Sequence, residues 1–262
     1  AGHAGLRRHR SHEVVRIDWC RIAHPLVVEA RVPQESWPAE SSVEVAASVA
    51  TGERVVLADP VASRAPGRAP VGTVTEVAAG REFRVSGGGF WQVHPGAAET
   101  LLDAVLAGLE PRPGESALDL YCGVGLFAAS LAQRLGPGGR VTAVESDPTA
   151  VADARHNLAD VPTVRVERGR VDHVLRRLRL RRADLVVLDP PRSGAGKAVV
   201  DLLSRVKARR IAYVACDPAA LARDLRWFRE RGGYELVELR AFDLFPMTAH
   251  VECVAILGPV ST

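Results

Sequence analysis

The sequence predicts an α/β protein built on a doubly wound, mainly parallel sheet, with a small α+β region in front of it. Three observations carry this. From about residue 95 onward, strand-like and helix-like runs alternate, the pattern of a parallel sheet with crossover helices. The chain then closes on two strand-like runs with no helix between them, which reads as a hairpin placing an antiparallel strand in the sheet. Residues 1–90 instead hold short β-like runs separated by Pro/Gly-rich breaks.

In the front region, SVEVAASV (42–49) and ERVVLA (53–58) are the clearest strands, and SRAPGRAPVG (63–72) is the clearest break. AAETLLDAVLAGL (97–109) has helical periodicity and opens the larger domain, residues 91–262. SALDLY, RVTAVE, TVRVE, DLVVLD and RIAYVA then read as strands. The helices between them start near Phe127, Pro148, Val171 and Gly196, and one more starts at Pro218 after the fifth strand. YELVELRAF (234–242) and HVECVAIL (250–257) form the closing hairpin. There are no internal repeats or low-complexity tracts.

Length and composition set bounds. A chain of 262 residues, 47% hydrophobic, can bury a full core without covalent staples. Its four cysteines, Cys20, Cys122, Cys216 and Cys253, are far apart in sequence, so neither a zinc knuckle nor a disulfide framework is written here. A reducing cytoplasm is the expected setting. No apolar run reaches transmembrane length, and no signal sequence opens the chain. The first residue is Ala1, so a processed or trimmed chain is expected. Net charge is only +3, but every basic residue except Lys197 and Lys207 is arginine. Arginines cluster at Arg7, Arg8 and Arg10, and again between Arg176 and Arg182. Solvated helix faces account for such clusters, and so does contact with an RNA backbone.

In an open α/β sheet the ligand sits beyond the carboxyl ends of the strands, at the switch point. The first strand runs into LDLYCGVGLF, where Gly123 and Gly125 permit a tight turn and close backbone approach. Ala128 stands where a dinucleotide fingerprint has its third glycine. The second strand ends VESD. Glu145 lies about twenty residues past the turn, where an acid holds ribose hydroxyls, and Asp147 also reads as a helix cap. The fourth strand ends in Asp189, whose following prolines stiffen the loop and aim it into the crevice. Cys216 closes the fifth strand at the mouth of a helix, whose positive end favours a thiolate while Asp217 opposes it. Cys253 reads as core and Cys122 as a small residue of the glycine turn. Glu252, beside His250, is a carboxylate in an otherwise apolar strand, which calls for pairing or chemistry. One thiol, one base and one methyl donor are what methylation at carbon 5 of a uracil requires.

Taken in order, FWQVHPGAAETL, LDLYCGVGLF, VLDPPRSG, YVACDPAALARDL and FPMTAHVEC resemble the RNA uracil-5-methyltransferase family over about residues 85–258. The resemblance implies a class I methyltransferase fold, Rossmann-like, with a seven-stranded mixed sheet. It implies S-adenosylmethionine as cofactor and a uridine of tRNA or rRNA as substrate. It implies Cys216 as nucleophile and Glu252 as the base that removes the carbon 5 proton. Gln92, Asp119, Tyr121, Gly123, Gly125, Glu145 and Asp189 are implied in the cofactor and base pocket, with Asp172 reaching toward the adenine. RNA cytosine methyltransferases carry a cysteine where this chain has Pro191, so uracil is favoured. Leu126 and Asp217 depart from the family, which usually has Asn at both places. SHEVVRIDWCRIAHP resembles a segment holding the last cysteine of an iron–sulfur cluster in some members. Cys20 would be that ligand, but its partners are absent from the sequence, so no cluster and no metal are expected. The family's usual front β-barrel is absent too, and a chain lacking its amino-terminal part is the simplest expectation. Two rivals remain: an RNA-binding or RNA-folding protein that kept the pocket without efficient methylation, and a nicotinamide-dependent enzyme. The closing hairpin and the Cys216–Glu252 pair argue against the second.

Overall fold

The computed structural model describes residues 2–8, 11–38, 41–60, 72–180 and 182–260. Arg10, Arg181 and residues 63–71 of the Pro/Gly-rich break lie outside the described residues. The chain divides into two compact units: Ala1–Val77 with Glu82–Phe90, and Ala78–Arg81 with Trp91–Thr262.

The first unit is assembled from two-stranded antiparallel pieces. β1 (Gly2–His3) is followed by β2 (Gly5–Arg7), β3 (Val14–Arg16), the short helix α1 (Pro25–Val28) and β4 (Ser36–Trp37). β1 pairs with β4, and β2 with β3. β5 (Ser41–Ala47) pairs with β6 (Arg54–Pro60) through a turn in which Gly52 has a φ of 73°. β7 (Thr73–Ala78) and β8 (Arg81–Ser86) form a hairpin. Its two turn residues, Ala79 and Gly80, both have positive φ, the geometry that follows the right-handed twist of the strands. Cys20 lies in this unit, partly buried.

The second unit holds the alternating pattern. α2 (Ala97–Leu109) leads to β9 (Ser116–Leu120), α3 (Leu126–Leu135), β10 (Arg140–Glu145), α4 (Pro148–Asn157), β11 (Val164–Arg168), α5 (Val171–Leu178), β12 (Leu185–Leu188), α6 (Gly196–Leu203), β13 (Arg210–Ala215) and α7 (Pro218–Trp227). A π-helical turn, Phe228–Gly232, precedes β14 (Tyr234–Phe242) and β15 (Glu252–Pro259). The seven strands lie in the order β11-β10-β9-β12-β13-β15-β14. β9 to β13 are parallel, and β15 enters antiparallel between β13 and β14. This is the predicted mixed sheet with its closing hairpin.

Burial explains the strand composition. All of β12, and β13 after Arg210, is buried, so both read as unbroken apolar runs. α2 packs close to β15: a Cβ on Gly108 would lie 2.2 Å from Ile256 Cδ1. The amino ends of the strands are fastened by polar pairs. Ser116 donates from both its backbone N and its Oγ to Asp184 at 2.8 Å, and Arg209 pairs with Glu115 at 2.9 Å. The carboxyl ends of β9, β10, β12 and β13 converge at the other edge, where antiparallel β15 begins with Glu252. That last strand starts two residues later than the sequence predicts. Thr248 accounts for the delay: its Oγ1 donates to the Phe245 carbonyl at 2.8 Å and accepts from the His250 backbone N at 3.2 Å, holding the approach in a turn.

Candidate active site

The glycine turn after β9 is shaped by three residues of positive φ: Tyr121 at 63°, Gly123 at 53° and Gly125 at 97°. The Cys122 amide donates to the Val144 carbonyl at 3.0 Å, tying the turn to β10. A Cβ at Gly125 would lie 2.8 Å from Leu158 Cδ1, whereas one at Gly123 would enter open space. Asn157, buried at the end of α4, donates from Nδ2 to the Val124 carbonyl at 3.1 Å. Leu126, the first residue of α3, is buried.

Glu145 ends β10 and bridges to the turn. Its Oε2 accepts from the Gly123 amide at 3.0 Å and its Oε1 from the Asp147 amide at 2.8 Å. Asp147 caps α4, accepting from the Thr149 and Ala150 amides at 2.9 Å each. Asp119 is 1% exposed, and neither of its carboxylate oxygens has a hydrogen-bond partner. Burial pushes it up to about 7. The Ala128 backbone N–H pulls the other way without reaching hydrogen-bond geometry, and Glu145 adds to the rise. An unpartnered buried carboxylate is costly, so its persistence marks a place for a cation or donor. Tyr121, two residues further along the chain, is pushed up to about 12, first by burial and then by Asp172.

The reactive end follows from strand register. β13 and β15 pair Ile211 with Leu257 through to Ala215 with Cys253. The next residues on the two sides are Cys216 and Glu252, close enough that the Glu252 charge acts on the thiol. Cys216 is partly buried and Glu252 is 4% exposed. Burial raises Glu252 to about 7. The Cys216 thiol is raised by burial, then by Glu252 and Asp189, while Arg192 lowers it. Asp189, just past β12, is raised well above its ordinary value by burial and by the charges of Glu252 and Asp119. Asp119, Asp189, Cys216 and Glu252 thus share one field. Asp217 turns away to cap α7, accepting from the Ala220 amide at 2.8 Å. Cys122 and Cys253 are buried.

Two expected residues stand apart. Asp172, in the first turn of α5, is raised by burial, but Arg170 at 3.2 Å, with His173 and Arg176, outweighs that and holds it low. Gln92 lies partly buried on the loop before α2, and the hydrogen bonds of the described residues do not tie it to the other candidates. The sequence reading missed Asn157 and Asp224. Asp224 is fully buried yet accepts hydrogen bonds from Tyr213, Ala195, Gly196 and Arg223. A signal for it existed: it falls between Leu221 and Phe228 at helical spacing, an acid on an apolar stripe.

Known proteins resemble this chain in sequence and in fold. The family model described as tRNA (Uracil-5-)-methyltransferase matches residues 74–259. A curated "Uncharacterized RNA methyltransferase" of Streptomyces avermitilis is 53% identical over 99% of this chain and 65% of its own length. One of Streptomyces coelicolor is 52% identical over 99% of this chain and 61% of its own length. The chain therefore spans less than two thirds of these relatives. Among solved structures, the Pyrococcus abyssi tRNA (uracil-54, C5)-methyltransferase in complex with S-adenosyl-L-homocysteine matches with a TM-score of 0.66. It is 27% identical, with 81% of this chain and 57% of that one covered. A seven-stranded sheet of this order, a glycine turn backed by an orphaned carboxylate and a thiol within reach of a buried acid's charge thus occur in a chain that belongs to the tRNA (uracil-5-)-methyltransferase family.

Proposed function

We propose that this chain is the catalytic portion of an RNA methyltransferase that uses S-adenosylmethionine to methylate carbon 5 of a uridine in tRNA or rRNA. The observation that carries the reading is the β13–β15 register, which ends with Ala215 opposite Cys253 and supports a pairing of the next two residues, the Cys216 thiol and the Glu252 carboxylate, at the carboxyl ends of the parallel strands. The residues present fit the cofactor. Asp119 offers a buried carboxylate to an ammonium group, Glu145 stands at the ribose position, and the space beside Gly123 admits a ligand against the backbone. Gln92, Tyr121, Gly125, Asp172 and Asp189 complete the proposed pocket. When bound, S-adenosylmethionine supplies an electrophilic methyl group.

The chain's own residues do the rest. Cys216, as thiolate, adds to carbon 6 of the uracil, and the electrons of the carbon 5–carbon 6 double bond move into an enolate that makes carbon 5 nucleophilic. Once carbon 5 carries the methyl group, Glu252 takes its proton, the double bond re-forms, and the sulfur–carbon bond breaks with its electron pair returning to sulfur. A Glu252 raised to about 7 is half ionised near neutral pH, which suits a base that must later release its proton. The uridine must enter flipped out of any stack.

The test is incubation with methyl-labelled S-adenosylmethionine and RNA from a host lacking 5-methyluridine, with Cys216→Ala in parallel. Label in 5-methyluridine that disappears in Cys216→Ala supports both reaction and nucleophile. Cofactor binding with no label in any RNA, in this chain and in a full-length Streptomyces relative alike, would replace this reading with that of an RNA-binding protein that kept the pocket without turnover.

A further inference from the structure

We propose that Asp224 is a positioning residue for the nucleophile: it fastens the loop 190–196 to the strand that leads into Cys216, and so fixes where the Arg192 side chain, in contact with His250, stands relative to the thiol. This rests on the reading of Cys216 as nucleophile. The Asp224 carboxylate, fully buried on α7, accepts five hydrogen bonds. Oδ2 takes the Tyr213 hydroxyl at 2.7 Å, the Ala195 amide at 2.8 Å and the Gly196 amide at 3.1 Å. Oδ1 takes Arg223 Nε at 3.0 Å and Nη2 at 2.8 Å. The Tyr213 hydroxyl also accepts from the Ala195 amide at 2.9 Å. Tyr213, on β13, lies three residues before Cys216, so one carboxylate joins the strand that leads into the nucleophile to the loop that follows Asp189.

The loop is held at consecutive residues. Arg223 Nη2 donates to the Ser193 carbonyl at 2.7 Å. Gly194, at a φ of 78°, is pressed so close that a Cβ would lie 2.6 Å from Arg223 Nη2 and 2.7 Å from Asp224 Oδ2. Arg192 immediately precedes these residues and contacts His250 Nε2 at 3.3 Å. The charges that act on Cys216 come from Glu252 on β15, Asp189 past the end of β12 and Arg192 on this loop, while the adjacent Asp217 turns its carboxylate to the cap of α7. Arg192 is the cation that opposes the surrounding acids at the thiol. Every partner of Asp224 is a donor, so an asparagine there must set its NH₂ against another donor. The loop would shift, and Arg192 with it.

The experiment follows iodoacetamide alkylation of Cys216 against pH by mass spectrometry of its peptide. It compares the parent, Arg192→Gln, Asp224→Asn, Tyr213→Phe and the Arg192→Gln/Asp224→Asn pair, each checked for folding by circular dichroism. The expected result is an upward shift of the alkylation midpoint by ~0.5–1 pH unit in Arg192→Gln and in Asp224→Asn, the scale of one partly solvated neighbouring charge. Tyr213→Phe shifts it less, and the pair shifts it no further than Arg192→Gln alone. An unmoved midpoint in folded Asp224→Asn and Tyr213→Phe, while Arg192→Gln moves, overturns the proposal. So do shifts that add in the pair. If Asp224→Asn fails to fold, Tyr213→Phe decides alone. Alkylation reads the thiol and not methyl transfer, so a Cys216→Ala chain that still methylates would sink the function without touching this result.

Discussion

Asp119 and Glu252 both titrate near neutrality, pushed up to about 7 by burial. The sign of the consequence is fixed. Each folded-state value lies above the ordinary carboxyl value of 3.8 or 4.5, so each acid is best tolerated when protonated, and stability is lost as pH rises toward about 7. Asp119→Asn and Glu252→Gln should therefore raise the melting temperature at pH 8 and leave it unchanged at pH 4. The gain is roughly 2–4 °C for each kcal/mol released, read by calorimetry. The same changes should cost function. Asp119→Asn removes the charge offered to an ammonium group and should weaken S-adenosylhomocysteine binding by ~10–100-fold in titration calorimetry. Glu252→Gln removes the proposed base, so under the proposed mechanism the chain should accumulate on RNA as a covalent adduct that survives denaturing electrophoresis. Normal RNA release with continued methylation would remove Glu252 from that role.

At the scale of elements, the turn between β9 and α3 is where backbone conformation and the proposed cofactor pocket coincide. Gly125→Ala meets a φ of 97° and the buried Leu158 at 2.8 Å, and should cost ~1–3 kcal/mol in chemical denaturation. Gly123→Ala has room around it, at a φ of 53°, and should cost only ~1 kcal/mol. Yet its methyl group would stand in the open space proposed for the ligand, so it should weaken cofactor binding more than Gly125→Ala does. The contrast separates strain from occlusion. This turn was legible in the sequence because two glycines after an apolar run state a local requirement. So was the sheet, because alternation of strand and helix patterns is also local. The residues that fasten the site were not. Asn157 reaches Val124, 33 positions away, and Asp224 reaches Ala195, 29 positions away. Such partners are set by helix packing, which no short window displays. The start of β15 was misplaced for a smaller reason: a threonine hydroxyl holds the approach in a turn that apolar content does not reveal.

Across the whole sheet, the two edges are built on opposite terms. The amino ends partner their acids, Glu115 with the Arg209 guanidinium and Asp184 with the Ser116 amide and hydroxyl, and gain stability. The carboxyl ends gather Asp119, Asp189, Glu252 and the Cys216 thiol, each raised by burial and, for Asp119, Asp189 and Cys216, by neighbouring acids as well. A crevice of proton-holding acids binds a cationic ligand by exchanging protons for it. At pH 6 the Asp119 carboxyl is mostly protonated, and an ammonium group seated against it would drive the proton out. At pH 8 it is largely ionised while the ligand still carries its charge, and little need leave. Binding of S-adenosylhomocysteine should therefore release close to one proton near pH 6 and very little near pH 8. Below pH 7 the affinity should rise by up to ~10-fold per pH unit, then level off. Titration calorimetry in buffers of different ionisation enthalpy measures the released proton directly. In Asp119→Asn the release should vanish and the affinity should lose most of its pH dependence. A release that persists in that variant would move the linked proton to Asp189 or Glu252, and with it the place where the ligand's positive charge is received.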